Sequence, residues 1–341
     1  MKKCLIAMSG GLDSSVAAKI MQERGYTCLG CMMTLCGHEE PKDAEKVAGQ
    51  LGMEFFVLPA QEQFRQYVME DFARCYGEGR TPNPCIVCNR HLKFGVLLKK
   101  AAEMGCETIV TGHYARIEKD EKSGRFLLKK AKDPEKDQSY VLYCLTQEQL
   151  SHIQFPLGEM TKSDAREKAR KQALANAEKA ESQDICFVPD GDYAGFLEGF
   201  TGKTAKKGNF IDTNGTVLGQ HKGLVHYTVG QRRGLGIAAA HPLYVLELRP
   251  EDNTVVLGKN EELFKRELTA TNVNLIAMEN IEGELRCKAK IRYRHAEQPC
   301  SVWQEGDKLK VLFDEPQRAI TPGQSVVLYD GDTVLGGGVI E

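Results

Sequence analysis

Two short stretches of the chain carry residue types that could do chemistry. The first is Ser9-Gly10-Gly11-Leu12-Asp13-Ser14-Ser15. Its two glycines let backbone N–H groups approach an anion with no side chain in the way. Ser9, Ser14 and Ser15 add hydroxyl donors, and a helix opening near Asp13 aims its positive end at the same point. The chemistry implied is phosphate binding. No lysine stands where a G-x-x-x-x-G-K loop needs one, so this is not a P-loop of that type. Asp13 is a candidate to hold Mg²⁺ or to shape the loop, and Mg²⁺ is expected wherever ATP binds. The second stretch is Thr81-Pro82-Asn83-Pro84-Cys85-Ile86-Val87-Cys88. Its prolines fix φ and stiffen the loop, and a Cys-x-x-Cys pair opens the helix that follows. A thiol at a helix N-terminus has a lowered pKa, which populates the thiolate that nucleophilic sulfur chemistry needs.

These residues need elements to position them. Residues 3–8 are a short apolar run, and residues 16–24 carry Val16, Ala17, Ile20 and Met21 at helical spacing before Gly25 closes the helix. Strands over 26–33, 54–58 and 108–111 alternate with helices over 43–52, 62–76 and 92–105. That alternation predicts an α/β fold, a parallel sheet with helices on both faces. Helices recur over 163–175 and 192–199. Beyond about residue 200, short β-like runs take over, at 243–248, 254–257, 286–292, 308–313 and 325–329. The pattern divides the chain into a catalytic domain over 1–203, a small β-rich domain over 204–265 and a C-terminal β-barrel over 266–341. Within the run at 286–292, Lys288, Lys290, Arg292 and Arg294 fall on alternate positions, with Ala289, Ile291 and Tyr293 on the other face. Such a ladder is a candidate phosphate track for nucleic acid. Gln231-Arg232-Arg233-Gly234 reads as a loop and a second candidate contact.

The chain has 341 residues, 42% hydrophobic and 27% charged, which is ordinary for a globular protein. No apolar run approaches the roughly 20 residues that span a bilayer. The first nine residues turn polar too early for a secretory signal. A cytoplasmic protein with no membrane contact is expected. Its twelve cysteines then read as thiols, ligands or redox groups rather than disulfides. Cys28 and Cys31 lie three apart in a predicted strand, point to opposite faces, and do not share a metal. With Cys36 they are expected to be small buried apolar side chains. Cys4, Cys75, Cys106, Cys144, Cys287 and Cys300 carry no local signal. The net charge of -2 leaves room for a local basic face.

The phosphate loop resembles that of the ATP pyrophosphatase superfamily, whose members cleave ATP between the α and β phosphates. Further segments resemble one family in it, the tRNA-specific 2-thiouridylases, over almost the whole chain. They are the cysteine loop with Lys93-Phe94, Ser182-Gln183-Asp184-Ile185-Cys186-Phe187, Thr111 to Arg116, Lys136 to Tyr140, Tyr227 to Gly236, Phe313 to Arg318 and Thr321 to Gln324. The resemblance implies an adenine nucleotide alpha-hydrolase-like domain, a small central domain and a β-barrel. It implies adenylation of the wobble uridine of tRNA at its 2-carbonyl oxygen, followed by sulfur transfer. Ala7, Met8, Ser9, Gly10, Gly11, Leu12, Asp13, Ser14, Met33 and Gly112 would contact ATP. Cys88 would be the nucleophile or sulfur carrier. Cys186 would be its partner, bearing a persulfide or forming a transient disulfide with Cys88. Asn83, Pro84, Cys85, His113, Lys136, Asp137, Gln138, Arg292, Tyr293 and Gln324 would approach the tRNA. A cysteine desulfurase, directly or through a sulfur-relay protein, would supply the sulfur.

Position 85 departs from the commonest family pattern, which has Asp there. Thiolates from Cys85, Cys88 and Cys186, with a fourth site open, would suit a [4Fe–4S] cluster. Zinc would want a fourth protein ligand. The rival is persulfide chemistry at Cys88 and Cys186 with Cys85 a bystander. Two other functions stand against thiolation. An amide-forming ATP pyrophosphatase enzyme would need none of these cysteines. A non-catalytic iron–sulfur or zinc RNA-binding protein would release no pyrophosphate.

Overall fold

The computed structural model describes residues 2–37, 39–176 and 185–341. Ser182, Gln183 and Asp184, part of the second cysteine segment, lie outside the described residues.

Seventeen strands form three sheets among the described residues. The first is parallel, in the order β3-β2-β1-β4-β7: β1 Lys3–Ala7, β2 Thr27–Thr34, β3 Glu54–Pro59, β4 Thr108–Val110 and β7 Ile153–Gln154. Parallel strands covered on both faces read as near-continuous apolar runs, and β1 (KCLIA) and β2 (TCLGCMMT) do so. Cys4, Ile6 and Cys28 pack on one side with helix α1 (Leu12–Glu23) and helix α2 (Lys42–Gln50). Leu5, Leu29 and Cys31 pack on the other with Leu97 and Ala101. Cys28 and Cys31 thus lie on opposite faces, as their spacing requires.

Helix α3 runs over residues 61–77 and helix α4 over residues 84–103, each with π-wound turns in its middle, Arg65–Met69 and Asn89–Val96. Such turns cluster at functional sites. Helix α5 (Lys162–Lys171) and helix α6 (Tyr193–Thr201) follow. No helix among the described residues is long and apolar enough to cross a membrane.

The second sheet has four strands, β8 Gly208–Ile211, β9 Val217–His221, β10 Tyr244–Arg249 and β11 Thr254–Gly258, in the order β10-β11-β8-β9. The third contains β12 Phe264–Leu275, β13 Leu285–Lys290, β14 Gln298–Glu305, β15 Lys308–Arg318, β16 Ser325–Asp330 and β17 Thr333–Ile340. Pairing of β12 with both β15 and β17 closes these six into a barrel. A hairpin from the first part of the chain, β5 Arg116–Lys119 and β6 Phe126–Lys129, extends that sheet through β6 and β17. Asn274 seals the contact by donating to the carbonyls of Tyr143 and Leu145.

The strand expected over 286–292 stops at Lys290. Because β13 and β14 are antiparallel neighbours, residues 291–297 must reverse the chain. Arg292 and Arg294 therefore lie in a turn, and the four-charge ladder does not form.

Candidate functional site

In the parallel sheet the strand order reverses between β1 and β4, so a crevice opens at their carboxyl ends, where such folds bind ligands. The loop after β1 and the loop after β4 meet there. Gly10 adopts φ +69, a conformation that favours glycine. A Cβ on Gly112 would come within 2.8 Å of the Asp13 and Ser14 backbone, so glycine is required for this approach. No side chain caps the start of α1 at Gly11, which leaves its first N–H groups directed at the crevice. Ser9 Oγ accepts from Gly11 N–H at 3.4 Å. The hydroxyls of Ser14 and Ser15 turn inward and donate to the Gly11 carbonyl at 3.1 and 3.0 Å. They brace the loop instead of lining it. Asn176 adds a second brace, donating to Gly10 O and Ser15 Oγ. The side chains of Met8 and Leu12 are buried in the core, so these two residues present only backbone. Ala7 and Met33 are partly buried against the opposite cluster.

Asp13 is committed to protein partners. Its carboxylate accepts from Lys162 Nζ at 2.7 and 2.8 Å and from Tyr114 Oη at 2.8 Å. It therefore presents no open oxygen pair for Mg²⁺ in this state. Lys162 is buried, at 8% exposure. It opens α5, whose Thr161 and Asp164 form a reciprocal capping box. A cation at the positive end of a helix is unfavourable by itself. That misplaced charge was a signal in the sequence that Lys162 has a partner elsewhere, and it was not used.

The cysteines gather beside the same sheet edge. Cys36 follows the carboxyl end of β2, and the Cys36 thiol hydrogen-bonds the Cys186 sulfur. Asn83 caps α4, accepting from Cys85 N–H at 3.2 Å, and Pro84 takes its first position. Lys93, one turn beyond Cys88, acts electrostatically on Cys85, Cys88 and Cys186 together. The expected activation of the Cys-x-x-Cys pair fails. Burial pushes Cys88 up to about 11 and loss of hydration pushes Cys85 up as well, in each case outweighing Lys93. Cys88 also sits past the first turn, where the helix dipole has faded. The activated thiol is Cys186. It is exposed, and the donated Cys36 hydrogen bond, aided by Lys93, brings it down to about 7. Cys36, expected to be an inert buried side chain, is half-buried and part of this group.

Among the described residues, no three His, Cys, Asp or Glu side chains are disposed to hold a metal ion. Cys85, Cys88 and Cys186 feel one another's charge without forming the ligand set that a [4Fe–4S] cluster requires.

Most residues expected to approach tRNA do structural work around this pocket. Gln324 Nε2 donates to Thr81 O, and Thr81 N–H donates to Pro322 O, so the barrel holds the Thr-Pro-Asn-Pro loop. Asp137 accepts from Ala131, from Ser139 N–H and from Ser139 Oγ, and Gln138 pairs with Tyr114. Lys136 lies beside them, partly buried. Arg292 donates to the Arg318 carbonyl. His113 is buried, paired with Thr111 Oγ1 at 2.7 Å, and held neutral by burial and by Lys93. Tyr293 is the exposed exception. Its hydroxyl donates to Asp137 O, and it lies within the electrostatic reach of Cys85.

The chain matches three family descriptions in order: tRNA methyl transferase HUP domain over residues 2–190, tRNA methyl transferase PRC-barrel domain over 194–259, and aminomethyltransferase beta-barrel domain over 265–340. It is 48% identical to the tRNA-specific 2-thiouridylase MnmA of Clostridioides difficile, across 100% of this chain and 98% of that protein. It is also 48% identical to its counterpart in Acetivibrio thermocellus, across 100% and 99%. At that identity over full length, with the phosphate loop and both cysteine segments in place, the chain belongs to the tRNA-specific 2-thiouridylase family.

Proposed function

We propose that this chain uses ATP to replace the 2-carbonyl oxygen of the tRNA wobble uridine with sulfur, and that Cys186 carries the sulfur as a persulfide. The phosphate loop and the open start of α1 hold the triphosphate, with Gly112 leaving room for it. The target base leaves its stack to enter the crevice, as chemistry on a base requires. Its O2 attacks the α-phosphorus, pyrophosphate departs, and C2 becomes an electrophile. The terminal sulfur of the Cys186 persulfide then attacks C2 and AMP departs. Lys93 offsets the negative charge at the sulfur, and Tyr293 stands at the pocket mouth. Mg²⁺ bound with ATP would neutralise phosphate charge; Asp13 could reach it only by releasing Lys162. The sulfur originates from a cysteine desulfurase or a relay protein that can reach the exposed Cys186.

One observation carries this reading. The phosphate loop, Gly112-His113 and the Cys36–Cys186 pair all sit at the carboxyl edge of one parallel sheet, and Lys93 acts on both His113 and the thiols. Iron-free protein, ATP, unmodified tRNA and a small-molecule persulfide should yield 2-thiouridine and AMP in equal amounts, by nucleoside mass spectrometry. Cys186→Ser should abolish the thiouridine, and Cys85→Ser should not. AMP without thiouridine, or full turnover in Cys186→Ser, would reject the proposal. Thiolation that appears only after iron is restored would replace the persulfide route by a cluster-dependent one.

A further inference from the structure

The thiol that meets Cys186 is Cys36, not Cys88. Cys36 is held there by a built loop. The Glu39 carboxylate accepts from the N–H groups of Leu35, Cys36 and Gly37 at 2.9, 2.7 and 2.8 Å. Gly37, at φ +83, completes the turn. The same apolar cluster packs Leu35, Cys36, Val87, Cys88 and Ile185. Cys36 is thus fixed against the sulfur-bearing residue, while Cys88 is buried beneath it.

We propose that Cys36 is a catalytic thiol of this reaction, the nucleophile that resolves the Cys186 mixed disulfide and releases the thiolated base. The inference rests on the persulfide reading above. After the persulfide attacks C2, the base is joined to Cys186 through a C2–S–S bond, with N3 unprotonated. Cys36 Sγ attacks the Cys186 sulfur. The S–S bond to the base breaks, its electron pair leaves with the sulfur on C2, and the Cys36 proton ends on N3. The products are 2-thiouridine and a Cys36–Cys186 disulfide. An external dithiol then reduces that disulfide for the next turnover. In the resting pair, the Cys186 thiolate holds the Cys36 proton in place. Conversion of Cys186 to a neutral disulfide removes that restraint at the moment when Cys36 must act.

The test is a single turnover without reductant. Full-length protein is loaded with a small-molecule persulfide, desalted, mixed with ATP, Mg²⁺ and unmodified tRNA, and quenched with N-ethylmaleimide. Peptide mass spectrometry should find Cys36 joined to Cys186 in proportion to the 2-thiouridine released. Cys36→Ser should still form AMP but release thiouridine about tenfold or more slowly. It should accumulate a protein–tRNA adduct that a dithiol breaks. Thiouridine accompanied by a Cys88–Cys186 disulfide overturns this inference alone, and the wild-type map gives that answer even if Cys36→Ser does not fold. Absence of thiouridine from the wild-type reaction overturns both this inference and the proposed function.

Discussion

The asymmetry among the site cysteines can be tested with a thiol probe on the native protein. The perturbation is limiting 4,4′-dithiodipyridine at pH 7. Cys186 has a pKa of about 7 and Cys88 one of about 11. At pH 7 about half of Cys186 is thiolate, against roughly one part in 10,000 of Cys88, a ratio of about 5,000. The more basic thiolate is the better nucleophile. A Brønsted slope of about 0.4–0.5 returns a factor of roughly 40–100 to Cys88. The remaining preference for Cys186 is about 50- to 100-fold, before the burial of Cys88 slows it further. Time-resolved peptide mass spectrometry of the labelled sites reads the two rates. The sign with pH follows. Cys186 labelling rises through pH 7 and levels off above it, whereas Cys88 labelling continues to rise toward pH 11, so the preference shrinks in alkaline buffer. In Lys93→Met the Cys186 midpoint should move upward, because the shared cation that favours its thiolate is gone. Equal labelling of Cys186 and Cys88 at pH 7 would refute the assignment of Cys186 as the activated thiol.

Two predictions concern the nucleotide half of the site. Gly112→Ala forces a methyl against the Asp13 and Ser14 backbone at 2.8 Å; overpacking of this kind costs about 1–3 kcal/mol, and ATP titration should show weakened binding together with a lowered melting temperature. Lys162→Met leaves the Asp13 carboxylate with Tyr114 alone. Breaking a buried pair costs about 3–5 kcal/mol; with Asp13 at 30% side-chain exposure, about 1–3 kcal/mol is expected. Denaturant melts should also show that adding Asp13→Asn to Lys162→Met costs less than the separate effects combined, and full additivity would contradict a direct pair.

Much of this was legible in the order of residues. Apolar runs broken by Gly25 and by Ser9-Gly10-Gly11 specify alternating strands and helices, since a buried parallel strand needs side chains that tolerate both faces. The phosphate loop was readable because its function depends on backbone N–H groups, and glycines and a helix start are local features. The cysteine loop was readable for a similar reason, since Asn83 and Pro84 cap a helix by local rules. What local spacing could not decide was which thiol is activated. A helix N-terminus argues for Cys88, but desolvation and distant neighbours set the balance, and these depend on residues remote in sequence. Cys36 and Cys186 are 150 positions apart and meet because β2 ends beside the segment that carries Cys186. Asp13 and Lys162 are 149 positions apart. The basic ladder failed on the same ground, because its alternation continued past Lys290 while pairing of β13 with β14 required a turn. The chain order determined the elements and the kinds of chemistry they carry. Tertiary contact alone decided where charge is stabilised, because hydration and the field of a lysine such as Lys93 are properties of a place in the fold.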